Sequence, residues 1–317
     1  MRQAGGGSAQ ETTGKPGFRL NRETLRADAF RMPMAPSELT VVIRPQTGWV
    51  PLGLPELWRY RELVGFLALR DVRVRYKQSA LGVAWAVLQP LLTLAVFTGL
   101  FGALLGPDRL PRAPGVSYAV STFCALVPWQ LFARAVSAGS DSVVVNQALV
   151  TKVYFPRLVV PIAPVLAALV DFALAFGLLL AMLAWAGIAP GAAVVALPLL
   201  VLLSVAAALG VALWLAAVNA LYRDVRLALP FVVQLWMLVT PVVYTAPNVL
   251  DGRPHWVALA YALNPMVGVV EGFRWALLGS AQPPTLLLAG SVLTTTLVLA
   301  SGLVIFRRLE RRFADQV

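Results

Sequence analysis

Charge is scarce in this chain. Asp, Glu, Lys and Arg make up 13% of its 317 residues, about half the share found in ordinary soluble domains. With 59% hydrophobic residues and a mean hydropathy of +0.75, that scarcity excludes a soluble globular protein. Histidine and cysteine are nearly missing as well, represented only by His255 and Cys124. No HExxH or CxxC occurs, so no metal site is expected, and a lone cysteine in an apolar run forms no internal disulfide. A phosphate-binding loop is also lacking. Gly14-Lys15 echoes one, but Ala9 stands where its first glycine belongs and Pro16 where a Ser or Thr would hold magnesium. The chain is not expected to bind ATP by that route. Nor do the first 50 residues hold the apolar stretch of a cleavable signal peptide.

What the chain has is long apolar runs. An α-helix needs about 20 apolar residues to cross a hydrocarbon core of about 30 Å. Six stretches reach or approach that length: 82–106, 117–139, 158–187, 191–220, 228–246 and 284–306. The expected fold is therefore all-α and polytopic. The fifth stretch is short and contains Pro230 and Pro241, so its outer end is expected to be broken. Basic residues set the direction. Arg59, Arg61, Arg70, Arg73, Arg75 and Lys77 precede the first span, and Arg307, Arg308, Arg311 and Arg312 follow the last. Lys152, Arg157, Arg223 and Arg226 fall in loops on the same side, which predicts cytoplasmic termini. The even number of spans requires the same answer. A net charge of +11 placed at helix ends points to an anionic lipid surface rather than nucleic acid. Residues 1–55, with Gly5-Gly6-Gly7 and Pro33, Pro36, Pro45, Pro51 and Pro55, read as a mostly disordered cytoplasmic tail.

Three segments are more than connections. Residues 56–78 place Leu57, Tyr60, Leu63, Val64, Leu67 and Val74 on one helical stripe, as in a helix lying at the inner membrane surface. Asp71 and Arg75 intrude on that stripe, and Phe66 and Leu69 face away from it. Residues 140–157 form a cytoplasmic loop too long for a minimal turn. Residues 247–283 are external yet apolar, and Asn264-Pro265 would break them into two short helices. They either re-enter the bilayer, which requires a protein or water-lined surrounding, or form an interfacial loop.

Charges inside spans are costly and often functional. Asp171 lies about 20 Å above the inner start of the third span, and Arg134 about 7 Å above the inner end of the second. That difference of roughly 12 Å leaves a direct pair unassured. Asp171 is read as a protonated or hydrogen-bonded packing residue, or as part of a path; Arg134 as snorkelling to the inner surface. Glu271 and Arg274, three apart on one helix, either neutralise each other or let Arg274 meet an anionic group.

Five segments resemble, in order, the bacterial ABC-type polysaccharide and polyol-phosphate export permeases. They are YRELVGFLALRDVRVRYKQSALGVAWAVLQPLL (60–92), NQALVTKVYFPRLVVP (146–161), ALYRDVRLALPFVVQLWMLVTPVVY (220–244), LNPMVGVVEGFRWALLG (263–279) and FRRLERRFADQV (306–317). The resemblance implies a non-catalytic subunit of the bacterial inner membrane, working as a homodimer with two cytoplasmic ATPase subunits. ATP and Mg would be bound by that partner, leaving no cofactor in this chain. The implied cargo is an undecaprenyl-linked surface polysaccharide, O antigen first, with capsule or teichoic acid as the close alternative. A secondary carrier is more remote, since no charge relay or inverted repeat is evident.

By the same resemblance, 56–78 is an interface helix, 140–157 holds a coupling helix that docks on the ATPase, and 248–279 is an external gate. Asn146, Lys152, Tyr154, Phe155, Pro156 and Arg157 suit the docking role, because aromatic anchors beside cations make good contacts. They would serve equally as a positive-inside anchor. Arg223, Asp224 and Arg226 are a second contact or a brace. Trp85, Phe123, Trp129 and Trp236 offer flat faces to sugars, and Gln89, Gln130 and Gln234 carry amides that facing lipid would leave unpartnered. The gate candidates are Tyr261, Asn264, Pro265, Glu271 and Arg274.

Overall fold

The computed structural model describes residues 54–77, 82–106, 113, 115–222, 224–279 and 283–316. The expected tail lies almost wholly outside them. Inside a bilayer no water is available to the backbone, and an α-helix satisfies its internal N–H and C=O groups by itself. The apolar runs accordingly form helices. These are α1 (Leu54–Arg59), α2 (Arg61–Lys77), α3 (Ala84–Leu105), α4 (Tyr118–Val145), α5 (Gln147–Lys152) and α6 (Val159–Trp185). A 3-10 turn at Ala192–Ala196 leads into α7 (Leu197–Asn219), followed by α8 (Asp224–Val239), α9 (Ala246–Leu250), α10 (His255–Ala262), α11 (Pro265–Leu278) and α12 (Thr285–Gln316). Helices α3, α4, α6, α7 with its 3-10 turn, and α12 are each long and apolar enough to cross a membrane. The chain is an all-α multi-pass membrane protein.

α4 is the central helix, buried along most of its length, whereas α3 has few buried residues. α4 packs on α6 and α7, and α7 packs on α12. Where α7 crosses α12 the backbones nearly touch: a Cβ built on Gly302 would lie 2.6 Å from the Gly210 carbonyl oxygen. Small residues at helix crossings are the usual means of close approach in membranes, where no hydrophobic force drives helices together.

Two expected boundaries shift. The second span does not stop at 139: α4 continues to Val145, so the first third of the expected 140–157 loop is helix. The expected fifth span is the 16-residue α8, about 24 Å long. Pro241 disfavours helix in the residue before it, and the chain turns at Thr240–Tyr244. α8 and this turn still run the length of α4. Arg226 pairs with Asp141 at one end (3.5 Å), and the Tyr118 hydroxyl donates to the Val243 carbonyl at the other (3.0 Å).

The segment after α8 re-enters. α10 and α11 meet at 98°. Asn264 caps α11 by accepting from the Met266 N–H (3.0 Å), and Pro265 occupies the first helical position, where its missing N–H costs nothing. Ser291 accepts from the Gly268 N–H and donates to the Asn264 carbonyl, which places the bend about 9 Å below the start of α12. The far end of α11 returns to the level of Ser121, whose carbonyl accepts from Arg274 (3.2 Å). Both arms thus leave on the side where they entered.

α2 departs from the expected stripe. Val64 and Leu67 are buried, but Val74 is 67% exposed, because the helix turns its neighbours Arg75 and Tyr76 toward α6. Replacing Gly302 with Leu is expected to wedge α7 from α12 and destabilise the detergent-purified chain by about 1–3 kcal/mol. Gly177→Leu, on an open face of α6, should leave the thermal melt unchanged.

Candidate functional site

A polar cluster inside the helix bundle is built on Asp171, which is 3% exposed. Arg134 of α4 reaches its Oδ2 at 2.9 Å, Arg75 of α2 donates to the same oxygen, and the Tyr76 hydroxyl donates to Oδ1. Arg134 also donates to the Gln89 side-chain oxygen on α3 (2.8 Å). Three helices therefore meet at one carboxylate, and α3 joins them through Arg134. The depth mismatch expected from sequence disappears because α4 is longer: Arg134 stands about 17 Å from the end of α4 and Asp171 about 18 Å from the start of α6. Arg134 does not snorkel to the surface; it turns inward to a carboxylate. Gln130 lies beside the pair with Phe172.

At the basic end of the bundle, α4 hands over to α5 through Asn146. Its side-chain oxygen accepts from Arg70 of α2 (2.8 Å) while its amide donates to the Ser142 carbonyl (2.9 Å). The expected docking residues then divide by burial. Phe155 and Pro156 are buried and Arg157 donates to the Glu310 carbonyl of α12, so these three fasten the corner to the core. Lys152 and Tyr154 stand exposed, Tyr154 by 68%. Arg226 and Asn219 both hold Asp141, a brace between α8, α7 and α4. Asp224 is exposed at the start of α8, and Arg223 lies outside the described residues.

The re-entrant pair is held by Arg274, 4% exposed. Its guanidinium donates to the carbonyls of Ser121 (3.2 Å), Pro241 (2.6 Å) and Val242 (2.8 Å) and to Glu271 (2.8 Å). Glu271 also accepts from the Ala246 N–H (2.7 Å). This is the internal pair, and the side chain is occupied on every side. Tyr261 shares a hydroxyl contact with Tyr244 (2.9 Å). Asn264 accepts from the Trp236 indole (3.1 Å) and donates to Thr240 (3.0 Å), joining the bend to α8.

The remaining path candidates separate clearly. Phe123 and Trp129 are 0% and 2% exposed and pack within the subunit core, so neither ring shows a face outside it. Trp85, Gln89 and Gln234 are exposed. Arg70, Arg75 and Tyr76 were not singled out by sequence. The one signal for them was the intrusion of Asp71 and Arg75 on an apolar stripe.

Replacing Arg274 with Met should destabilise the chain by about 3–5 kcal/mol, since Glu271 is left buried and uncompensated. The double variant with Glu271→Gln should recover part of that loss in denaturant unfolding. Equal losses in the two variants would show that the ion pair contributes nothing.

Three relatives are similar over nearly their whole lengths. An O-antigen export system permease protein RfbA from Myxococcus xanthus is 29% identical over 262 residues, covering 83% of this chain and 98% of the relative. A Klebsiella pneumoniae protein of the same name is 26% identical, covering 80% and 94%. The polysialic acid transport protein KpsM of Escherichia coli is 25% identical, covering 77% and 92%. Residues 62–278, from α2 to the end of the re-entrant pair, match the family described as ABC-2 type transporter, and to that family the chain belongs.

Proposed function

We propose that the chain is the permease of an ATP-driven exporter that moves a lipid-linked surface polysaccharide, O antigen in the first place, across the bacterial inner membrane. The observation that carries the reading is the corner at α5. A six-residue helix stands at the basic end of the bundle with Lys152 and Tyr154 turned outward. Its base is fixed to α2 through Asn146 and to α12 through Arg157. An exposed aromatic and a cation on a rigid base suit docking to a partner, and a chain without a phosphate-binding loop needs a partner to hydrolyse ATP. This end then faces the cytoplasm, as the basic residues favour.

Two copies of the chain and two ATPase subunits form the working unit in this reading. Gln89, partly exposed Arg134 and exposed Gln234 support it, because polar groups at membrane depth face a cavity or another protein rather than lipid. The re-entrant pair, with its bend below the surface, would close the outer end of the path between copies. The names of the O-antigen relatives support the cargo. The polysialic acid relative supports a related polymer as the second reading.

Exchanging Tyr154 for Ala together with Lys152 for Glu should reduce co-purification of the co-expressed ATPase at least about tenfold, the scale of one interfacial hot spot. Both side chains are exposed, so the variant should remain monodisperse. Unchanged retention of the ATPase, or ATP turnover by the purified chain alone, would overturn the reading.

A further inference from the structure

The Asp171 cluster does not balance its own charge. Two guanidiniums, Arg75 and Arg134, share one carboxylate, and Tyr76 is neutral at physiological pH. The adjoining charges leave the count unchanged, because Arg70 is matched by Asp71 and Arg226 by Asp141. One positive charge is left over. The donors are also in excess. Arg75 engages one nitrogen, and its Nε and Nη2 have no hydrogen-bond partner among the described residues. Its side chain is 33% exposed and that of Arg134 is 21% exposed.

An uncompensated cation at this depth is expensive, so a counter-charge is expected from outside the chain. Among the described residues, Asp141, Asp171, Glu271 and Glu310 on the spanning helices and the re-entrant pair are each held by an arginine of their own subunit. Asp224 is exposed, but it stands at the very start of α8, beside the Arg226–Asp141 end of the bundle and not at the depth of Asp171. A membrane does offer anions, in the phosphates of its lipids.

We propose that Arg75 and Arg134 form a binding site for the phosphate or diphosphate head of a lipid, with Asp171 holding the two guanidiniums side by side. Phosphate oxygens match the planar fork of arginine, and two forks on one phosphate bind more tightly than either alone. A way in exists at the basic end. A cavity of about 480 Å³ between α2, α4 and α6 is lined by Arg70, Asp71, Asp141, Asn146 and Arg75. Arg75 thus borders this cavity and also donates to Asp171, the carboxylate that Arg134 holds from the other side. The inference rests on the exporter reading only for which lipid is bound; there, it is the carrier of the polymer.

The test is binding to the full-length chain in zwitterionic nanodiscs, with a fluorescent polyprenyl diphosphate as probe. The R75Q/R134Q variant should weaken binding at least about tenfold, the scale of one charge-assisted hydrogen bond. R75K/R134K should restore part of it. Since losing both arginines strands Asp171, the triple variant R75Q/R134Q/D171N keeps the core neutral, and its thermal melt establishes that it is folded. It should bind no better than the double variant. Uncharged polyprenol should not compete. Competition by inorganic diphosphate locates recognition in the head alone, and competition by phosphatidylglycerol extends the site to any lipid phosphate. Wild-type affinity in the folded triple variant, or equal competition by polyprenol, overturns the site. No ATPase or transport enters the assay, so its failure is separate from failure of the exporter reading.

Discussion

The contact between Arg134 and Asp171 governs how the basic half of the bundle is put together. A charged carboxylate in a bilayer is costly without a cation, and here the cation comes from the helix that α6 packs against most closely. Satisfying Asp171 fixes the vertical register of α4 against α6. A slip of one helical turn would move the two charges about 5 Å apart in depth. It also draws in α2 through Arg75 and Tyr76 and α3 through Gln89. A helix with the composition of a surface segment is thereby tied to the interior.

The opposite half follows the same rule with different parts. After α8 the chain leaves regular structure at Thr240–Tyr244, and non-helical backbone at membrane depth carries carbonyls that lipid does not satisfy. Arg274 supplies the missing donors for Pro241 and Val242, and Glu271 balances its charge while accepting from Ala246. The broken end of α8 is stable because the re-entrant pair stands beside it. Asn264, capping α11 and bonding to Trp236 and Thr240, makes the same junction from the other side.

Hydropathy made the spanning helices legible, and Asn264-Pro265 made the break between α10 and α11 legible, because both signals are local. The pairing of Asp171 with Arg134 was not. It depends on where α4 ends, and Ser140–Val145 looks like loop until its helix is seen to continue. Arg75 was visible only as an error in an amphipathic pattern, since a stripe analysis assumes one uniform environment along α2. The helix instead passes from the surface to a neighbour with a buried charge. The aromatic candidates failed to sort for a related reason. Phe123 and Trp236 are both rings in apolar runs, and only packing shows that one is enclosed and the other is bonded to a bend.

Two arginines of α2 link the α5 corner to the buried charge. Arg70 holds Asn146 at the root of α5, and Arg75 holds Asp171. These residues lie five apart on one helix, about 7.5 Å along its axis. Any displacement of α5 that keeps Arg70 on Asn146 therefore also moves Arg75 against Asp171. The alternative route, along α4 from Asn146 to Arg134, is more than twice as long and runs through a helix buried on nearly every side. Of the two, α2 is the freer lever, with Phe66, Leu69 and Val74 exposed and only one face packed. A movement of the α5 corner carried by Asn146 would thus reach Asp171 through this short stretch of α2, beside the direct contacts that Phe155 and Arg157 make with the core.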